Sequence, residues 1–229
     1  MGSGMQEPTS GFETDVFNAG GKRLVITFIG HGTLMFDYDG TIVHLDPVPE
    51  QADYDRLPRA DLVLVTHEHH DHLNPQLIGS LRAPGAEVVL NPASRDTLGY
   101  GHALANGEEL TVKGIGIRAV PAHNTTPGRE RFHLGGRDNG YLLDFGGFRV
   151  YVAGDTEPLP EMSGLGDVDV AFLPVNQPYT MTPAQAAEAA RRIRPRTLYP
   201  YHYGDTRVAD LADLLSDAPE IEVRLRRLA

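Results

Sequence analysis

The stretch Asp61-Leu62-Val63-Leu64-Val65-Thr66-His67-Glu68-His69-His70-Asp71-His72 decides how the rest of the chain is read. Residues 61–65 form a short, mostly apolar and β-branched run, the pattern of a buried strand. The metal-capable side chains His67, His69, Asp71 and His72 follow directly where that strand ends. A turn leaving a strand end can aim successive side chains at one point, whereas a helix would spread the same positions over several faces. The stretch therefore reads as half of a metal site, presented by the end of a β-strand.

The bulk properties narrow what such a site can be. With 229 residues and a hydrophobic fraction of 41%, the chain suits one domain, expected over residues 23–229. Residues 1–22 are rich in Gly, Ser, Thr and acidic side chains and read as a flexible N-terminal tail, in which Met1-Gly2-Ser3-Gly4 looks like a cloning remnant. Cysteine is absent, which removes disulfides, thiolate metal sites and cysteine nucleophiles together and suits a reducing cytoplasm. No signal peptide or membrane span is recognisable, so no membrane partner is expected. A net charge of −11 speaks against nucleic acid, whose phosphates call for clustered Lys and Arg, and leaves a small molecule as the expected substrate. A homo-oligomer stays open.

Read outward from the central stretch, strands and hairpins dominate. A strand over 23–29 ends at Gly30-His31-Gly32, and a hairpin over 34–38 and 41–45 turns at Asp39-Gly40 and ends at Asp46-Pro47. After the histidines come a short helix at 75–81, a strand at 87–90, a helix over 93–104 and a strand over 115–120 leading to His123. A Gly- and Arg-rich excursion over 125–140 precedes a second hairpin, 141–145 and 148–153 around Gly146-Gly147, which runs into Gly154-Asp155-Thr156. Beyond a strand at 167–173, Thr182-Pro183-Ala184-Gln185 carries a capping box and opens a helix. A strand at 197–200 feeds Tyr201-His202-Tyr203-Gly204, followed by a helix at 208–215 and a strand at 221–228. Strands and hairpins followed by helices, in each half, favour two packed sheets with helices outside.

Metal-capable residues just past strand ends are His67, His69, Asp71, His72, His123, Asp155 and His202. A catalytic zinc-like ion takes about three protein ligands plus water, so the set suits a dinuclear centre with one carboxylate shared. Spaced this way, His67-x-His69-x-Asp71-His72, His123, Asp155 and His202 resemble the five-motif signature of the metallo-β-lactamase superfamily. Gly30-His31, Leu45-Asp46-Pro47, Tyr179-Thr180-Met181-Thr182-Pro183 and Tyr201-His202-Tyr203-Gly204 look like its branch of small metal-dependent hydrolases, related to ascorbate-6-phosphate lactonase and N-acyl-phosphatidylethanolamine phospholipase D. The resemblance implies an α/β fold, a four-layer αββα sandwich with the site at one edge of its two sheets. It also implies that His67, His69 and His123 hold one ion, that Asp71, His72 and His202 hold the other, and that Asp155 bridges them. Zinc is the expected metal, with manganese, iron or nickel as alternatives that the same ligands accept. Between two such ions, about 3.5–4 Å apart, a bridging hydroxide would be the nucleophile.

Other residues have two readings each. Asp46 orients a ligand imidazole or simply forms the turn before Pro47. Asp71 and His31 are catalytic candidates, and His31 is either an acid or substrate contact or a turn histidine. Arg129, Arg131 and Arg137 could receive an anionic group of the substrate or form a solvated loop. Tyr179, Tyr201 and Tyr203 line the pocket or pack in the core. Glu68 and His70 occupy the intervening motif positions and are expected to turn away, while His44, His102 and His133 read as surface or satisfied core residues. The function expected is hydrolysis of a small, anionic lactone or phosphoester; a nuclease and a metal-dependent sensor without turnover are the alternatives.

Overall fold

The structure, a computed structural model, describes residues 11–229. The first sheet runs Glu13–Ala19 (β1), Lys22–Gly30 (β2), Thr33–Tyr38 (β3), Thr41–Leu45 (β4), Ala60–Val65 (β5), Arg82–Leu90 (β6) and His102–Ala103 (β7), paired in that order. The second runs Glu109–Val112 (β8), Ile115–Ala122 (β9), Asp138–Phe145 (β10), Phe148–Val152 (β11), Val170–Pro174 (β12), Thr197–Tyr201 (β13) and Glu222–Val223 (β14), also paired in order. In each sheet the first four strands pair antiparallel and the remainder parallel. The halves thus share one plan. Helices Pro75–Leu81 (α1) and Pro92–Leu98 (α2) cover the first sheet, and Pro183–Ile193 (α3) and Asp210–Leu214 (α4) cover the second.

The period-two alternation of β5 shows how the layers form. Leu62 and Leu64 point into the core between the sheets, where Phe28, Phe172 and Tyr199 also pack; Val63 and Val65 point outward, beneath Ile78, Leu81 and Leu98. On the far side, Ala186, Ala187, Ala189, Ala190 and Ile193 of α3 lie on Ala171 and Leu173 of β12. Small residues let that helix seat closely. Its start is the expected one: Thr182 accepts from Gln185 N, and the Gln185 side chain accepts from Thr182 N, closing the capping box. The four layers are the αββα sandwich.

Several boundaries differ from the sequence reading. Residues 13–19 are a paired edge strand and not tail, so the domain begins before residue 23; residues 1–10 lie outside the described residues. The reason is a charge anchor at the other end of the chain. Asp15 accepts from Arg224 and Arg226 and from the Tyr199 hydroxyl, fastening β1 to the C-terminal segment. The helix expected to 104 stops at Leu98, because Gly99 adopts φ 86° and caps it, freeing β7 to pair with β6. The final strand is only Glu222–Val223.

Burial of one histidine in the first sheet gives the protein an acid limit. His44 on β4 is fully buried; its Nε2 donates to the Pro58 carbonyl at 3.0 Å and its Nδ1 has no partner. Desolvation holds the imidazole down at about 4. The unfolded chain therefore binds a proton there that the folded chain refuses, and stability falls as pH drops from about 6.5 to about 4, by on the order of 3 kcal/mol. Urea melts across this window should show the loss, and His44→Leu should flatten it. An equal slope in that variant would assign the acid sensitivity elsewhere.

Candidate metal centre

The donors gather where parallel strands of both sheets end, on the same edge of the sandwich. β5 runs into Thr66 and the histidine stretch, β11 into Gly154-Asp155, and β13 into His202. Among the described residues three groups of donors converge, the first two sharing His67: His67, His69 and His133; His67, His72 and Asp155; and His31, Asp71 and His202.

The spacing of these atoms is that of a coordination shell. His67 Nε2 lies 3.0 Å from His69 Nδ1, and His133 Nε2 lies 3.2 Å from Asp155 Oδ2. In the second cluster, His72 Nε2 and His202 Nε2 are 3.2 Å apart, with Asp71 Oδ2 at 3.7 and 3.4 Å from them. Asp155 oxygens stand 3.6 Å from each of the same two nitrogens. Tetrahedral ligands at about 2.1 Å from an ion sit about 3.4 Å from one another, so both clusters fit a divalent ion. Asp155 Oδ1, buried and without a hydrogen-bond partner, is the kind of orphaned oxygen that an ion would satisfy.

A single buried carboxylate behind the donors orients one imidazole in each cluster. Asp46 Oδ2 receives His72 Nδ1 at 2.8 Å and the Thr66 hydroxyl at 2.7 Å, and the same hydroxyl accepts from His67 Nδ1 at 3.0 Å. Asp46 Oδ1 takes the Thr66 amide at 2.8 Å. With both Nδ1 atoms engaged as donors, both Nε2 atoms face the site, as a lone pair on His67 and, on His72, as the position whose proton an ion would displace. Burial would depress His72, but Asp155 and then Asp46 outweigh it and push the imidazole up to about 10, while burial raises the Asp46 carboxyl. The pair keeps a proton between them.

The remaining ionisations also favour ligation. Burial, then the neighbouring His72, hold His67 well below its ordinary range, and burial followed by His133 lowers His69, so both are neutral donors. Burial alone would raise Asp71 and Asp155; hydrogen bonds from His202 and His31 outweigh it at Asp71, and the charges of His202 and His72 do so at Asp155. Both are held as carboxylates. Three non-glycine residues at the site adopt left-handed backbone, His31 (φ 52°), Asp46 (φ 47°) and His202 (φ 47°), each just past a strand end. Such strain persists where the surroundings fix it, and here His202 N donates to the His31 carbonyl at 3.1 Å.

A family model described as a beta-lactamase superfamily domain matches residues 25–202. The chain belongs to this superfamily. A UPF0173 metal-dependent hydrolase from Thermococcus kodakarensis is 33% identical over 195 residues, spanning 78% of this chain and 84% of that protein. A crystal structure from Parabacteroides distasonis, assigned as a metal-dependent hydrolase, matches with a TM-score of 0.93 at 53% identity, covering 95% of this chain and 100% of that one. Igni18, a metallo hydrolase from Ignicoccus hospitalis, shares the fold with a TM-score of 0.75 at 24% identity, over 90% and 96% of the two chains. This beta-lactamase superfamily member is a metal-dependent hydrolase.

The converging groups include His133 where His123 was expected. His123 stands outside the three converging groups, half-buried at the end of β9 with its Nδ1 unpartnered. His133, read from sequence as a surface or satisfied core residue, takes the place beside His67 and His69. His133 sits in the excursion between β9 and β10 and not at a strand end, so a strand-end rule does not reach it. The Phe132-His133-Leu134 context inside a Gly-rich loop was the available signal.

Most of the expected substrate contacts are also reassigned. Arg129 donates to the carbonyls of Pro178 and Thr180 and pairs with Glu157, and Arg137 is taken up by Asp138 and Glu68. Neither guanidinium is free for an anion. Tyr201 is fully buried in the core between the sheets, and Tyr203 bonds the Arg226 carbonyl. Arg131 lies over the Phe132 ring, and Tyr179, exposed, packs edge-on against the same ring at 5.0 Å. Glu68 and His70 do turn away, the latter with a side chain 99% exposed. His31 faces the cluster, its Nε2 3.2 Å from Asp71 Oδ2 and its ring 3.8 Å from that of His202. A groove of about 400 Å³ lined by Glu109, Arg118, Asp144 and Arg149 contains no donor of this centre.

Proposed function

We propose that this protein binds two divalent ions, zinc foremost, and hydrolyses a lactone or phosphoester bond in a small molecule. The observation that carries the reading is the pair of donor clusters sharing Asp155: His67, His69 and His133 on one side, Asp71, His72 and His202 on the other. Bound there, the ions supply Lewis acidity and a water acidified to near-neutral pKa. The chain supplies geometry. Asp46, directly and through Thr66, holds protons on His72 Nδ1 and His67 Nδ1 and so aims both Nε2 atoms forward. His67, His72, His133, Asp155 and His202 are buried, while His31, His69 and Asp71 are half-buried, so substrate enters over the latter three. His31 Nε2, beside Asp71 on that open side, is the side chain placed to meet the bound substrate. The lack of cysteine and the net charge of −11 support a small-molecule substrate in a reducing compartment.

Chelation should abolish turnover of a lactone and phosphodiester panel, and zinc or manganese should restore it. Activity that persists after metal content falls to background would overturn the reading. Oligonucleotides belong in the same panel, as does calorimetry for ligands that bind without being turned over.

A further inference from the structure

Of the six donors that surround Asp155, His133 is the one carried by an irregular loop. His67, His69, Asp71 and His72 follow β5 and His202 follows β13, but residues 124–137 contain no strand or helix. What fixes this loop is an ion pair between a half-buried arginine and a buried carboxylate. Glu157, two residues past Asp155, is fully buried, and its Oε1 lies 2.9 Å from Arg129 Nη1. Its Oε2 accepts the amides of Thr125 at 2.7 Å and Thr126 at 2.6 Å. Arg129 Nε donates to the Pro178 carbonyl at 2.7 Å and Nη2 to that of Thr180. One guanidinium therefore joins its own loop, the turn after β11, and the segment 176–181.

Each of those three segments ends on the metal centre. The His133 carbonyl accepts from Asn124 N at 3.1 Å, and Glu157 N donates to the His123 carbonyl at 3.0 Å. The Asn124 side chain donates to the carbonyls of Arg129 and Tyr179, cross-tying the loop to segment 176–181. Asn176, at the start of that segment, meets His202 Nδ1 at 3.3 Å. We propose that the Arg129–Glu157 pair is a positioning device for His133, which sets the affinity of the ion held with His67 and His69. It touches neither that ion's ligands nor the substrate side. This inference rests on the two-ion reading above.

The test titrates the full chain, stripped of metal, with zinc and with cobalt, whose absorption bands follow each site. Arg129→Met and Glu157→Gln should weaken one of the two ions by about 10–100-fold, the range for groups that orient ligands from behind, and leave the other within about twofold. Arg129→Lys keeps the charge beside Glu157, but a single ammonium cannot span Glu157, Pro178 and Thr180 as the planar fork does. It should show the same selective loss, and it decides the question if the other two variants fail to fold. Wild-type binding of both ions in all folded variants, or parallel loss of both, overturns the proposal. Wild-type protein that binds no ions would instead overturn the proposed function, an outcome read in a separate titration.

Discussion

The His133→Ala protein is expected to lose the ion held with His67 and His69 and, with it, on the order of 10³-fold or more in kcat/KM, because each factor of ten is about 1.4 kcal/mol and a catalytic ion supplies several kcal/mol. His133 is buried, and its Nε2 stands 3.2 Å from Asp155 Oδ2, so its removal opens the cluster on the side nearest Asp155. The matched control is His123→Ala. His123 lies outside the converging donors, and its backbone, rather than its ring, makes the local bonds: its amide meets the Thr156 hydroxyl at 3.0 Å and its carbonyl accepts from Glu157. That variant should keep both ions. Metal analysis of the two purified proteins settles the point, and the reverse pattern, metal lost at 123 and kept at 133, would reject the assignment.

Asp46 carries the second large effect. Alanine there strands the Thr66 amide, the Thr66 hydroxyl and His72 Nδ1, all buried, and leaves the proton on His72 without its carboxylate. Breaking a buried charge pair from one side costs about 3–5 kcal/mol, so Asp46→Ala should unfold at markedly lower urea. Asp46→Asn separates orientation from folding. It keeps an oxygen for the Thr66 amide but sets an amide donor where Oδ2 accepted, turning His67 and His72 out of register together. Both ions should then bind about 10–100-fold more weakly in a protein that still folds. Undiminished metal affinity in Asp46→Asn would show that the carboxylate only shapes the turn before Pro47.

Much of this was readable in the residues because local rules and global packing agree. Alternation in Leu62-Val63-Leu64-Val65, the Asp39-Gly40 turn and the Thr182–Gln185 box each state their structure within a few residues, and each appears as read. Six of the expected donors, which follow strands whose ends are recognisable, fall within the converging groups. The misreadings of β1, Arg129 and His133 share a cause: the deciding partner is far away in sequence. β1 resembles tail until Arg224 and Arg226 reach Asp15, and Arg129 resembles a surface cation until Glu157 and the carbonyls of segment 176–181 surround it. His133 was passed over for the same reason, since its loop is fixed by that long-range pair and by the Asn124 bond to segment 176–181. Gly32 shows the converse, a spacing demand invisible in sequence: a Cβ there would stand 3.0 Å from His72 Cε1 and 3.2 Å from His202 Cδ2.

The repeated plan of the two sheets has a consequence for how the molecule is made. The first sheet can pair completely once residue 103 has been synthesised, yet its four donors then face no partner, since His72 meets His202 across a separation of 130 residues. Closing so large a loop is a late and entropically costly event in folding. An ion that needs donors from both halves has no high-affinity place on a half-made chain, and it adds free energy only after the sheets have docked. Metal added during refolding should therefore stabilise only chains whose two sheets have docked.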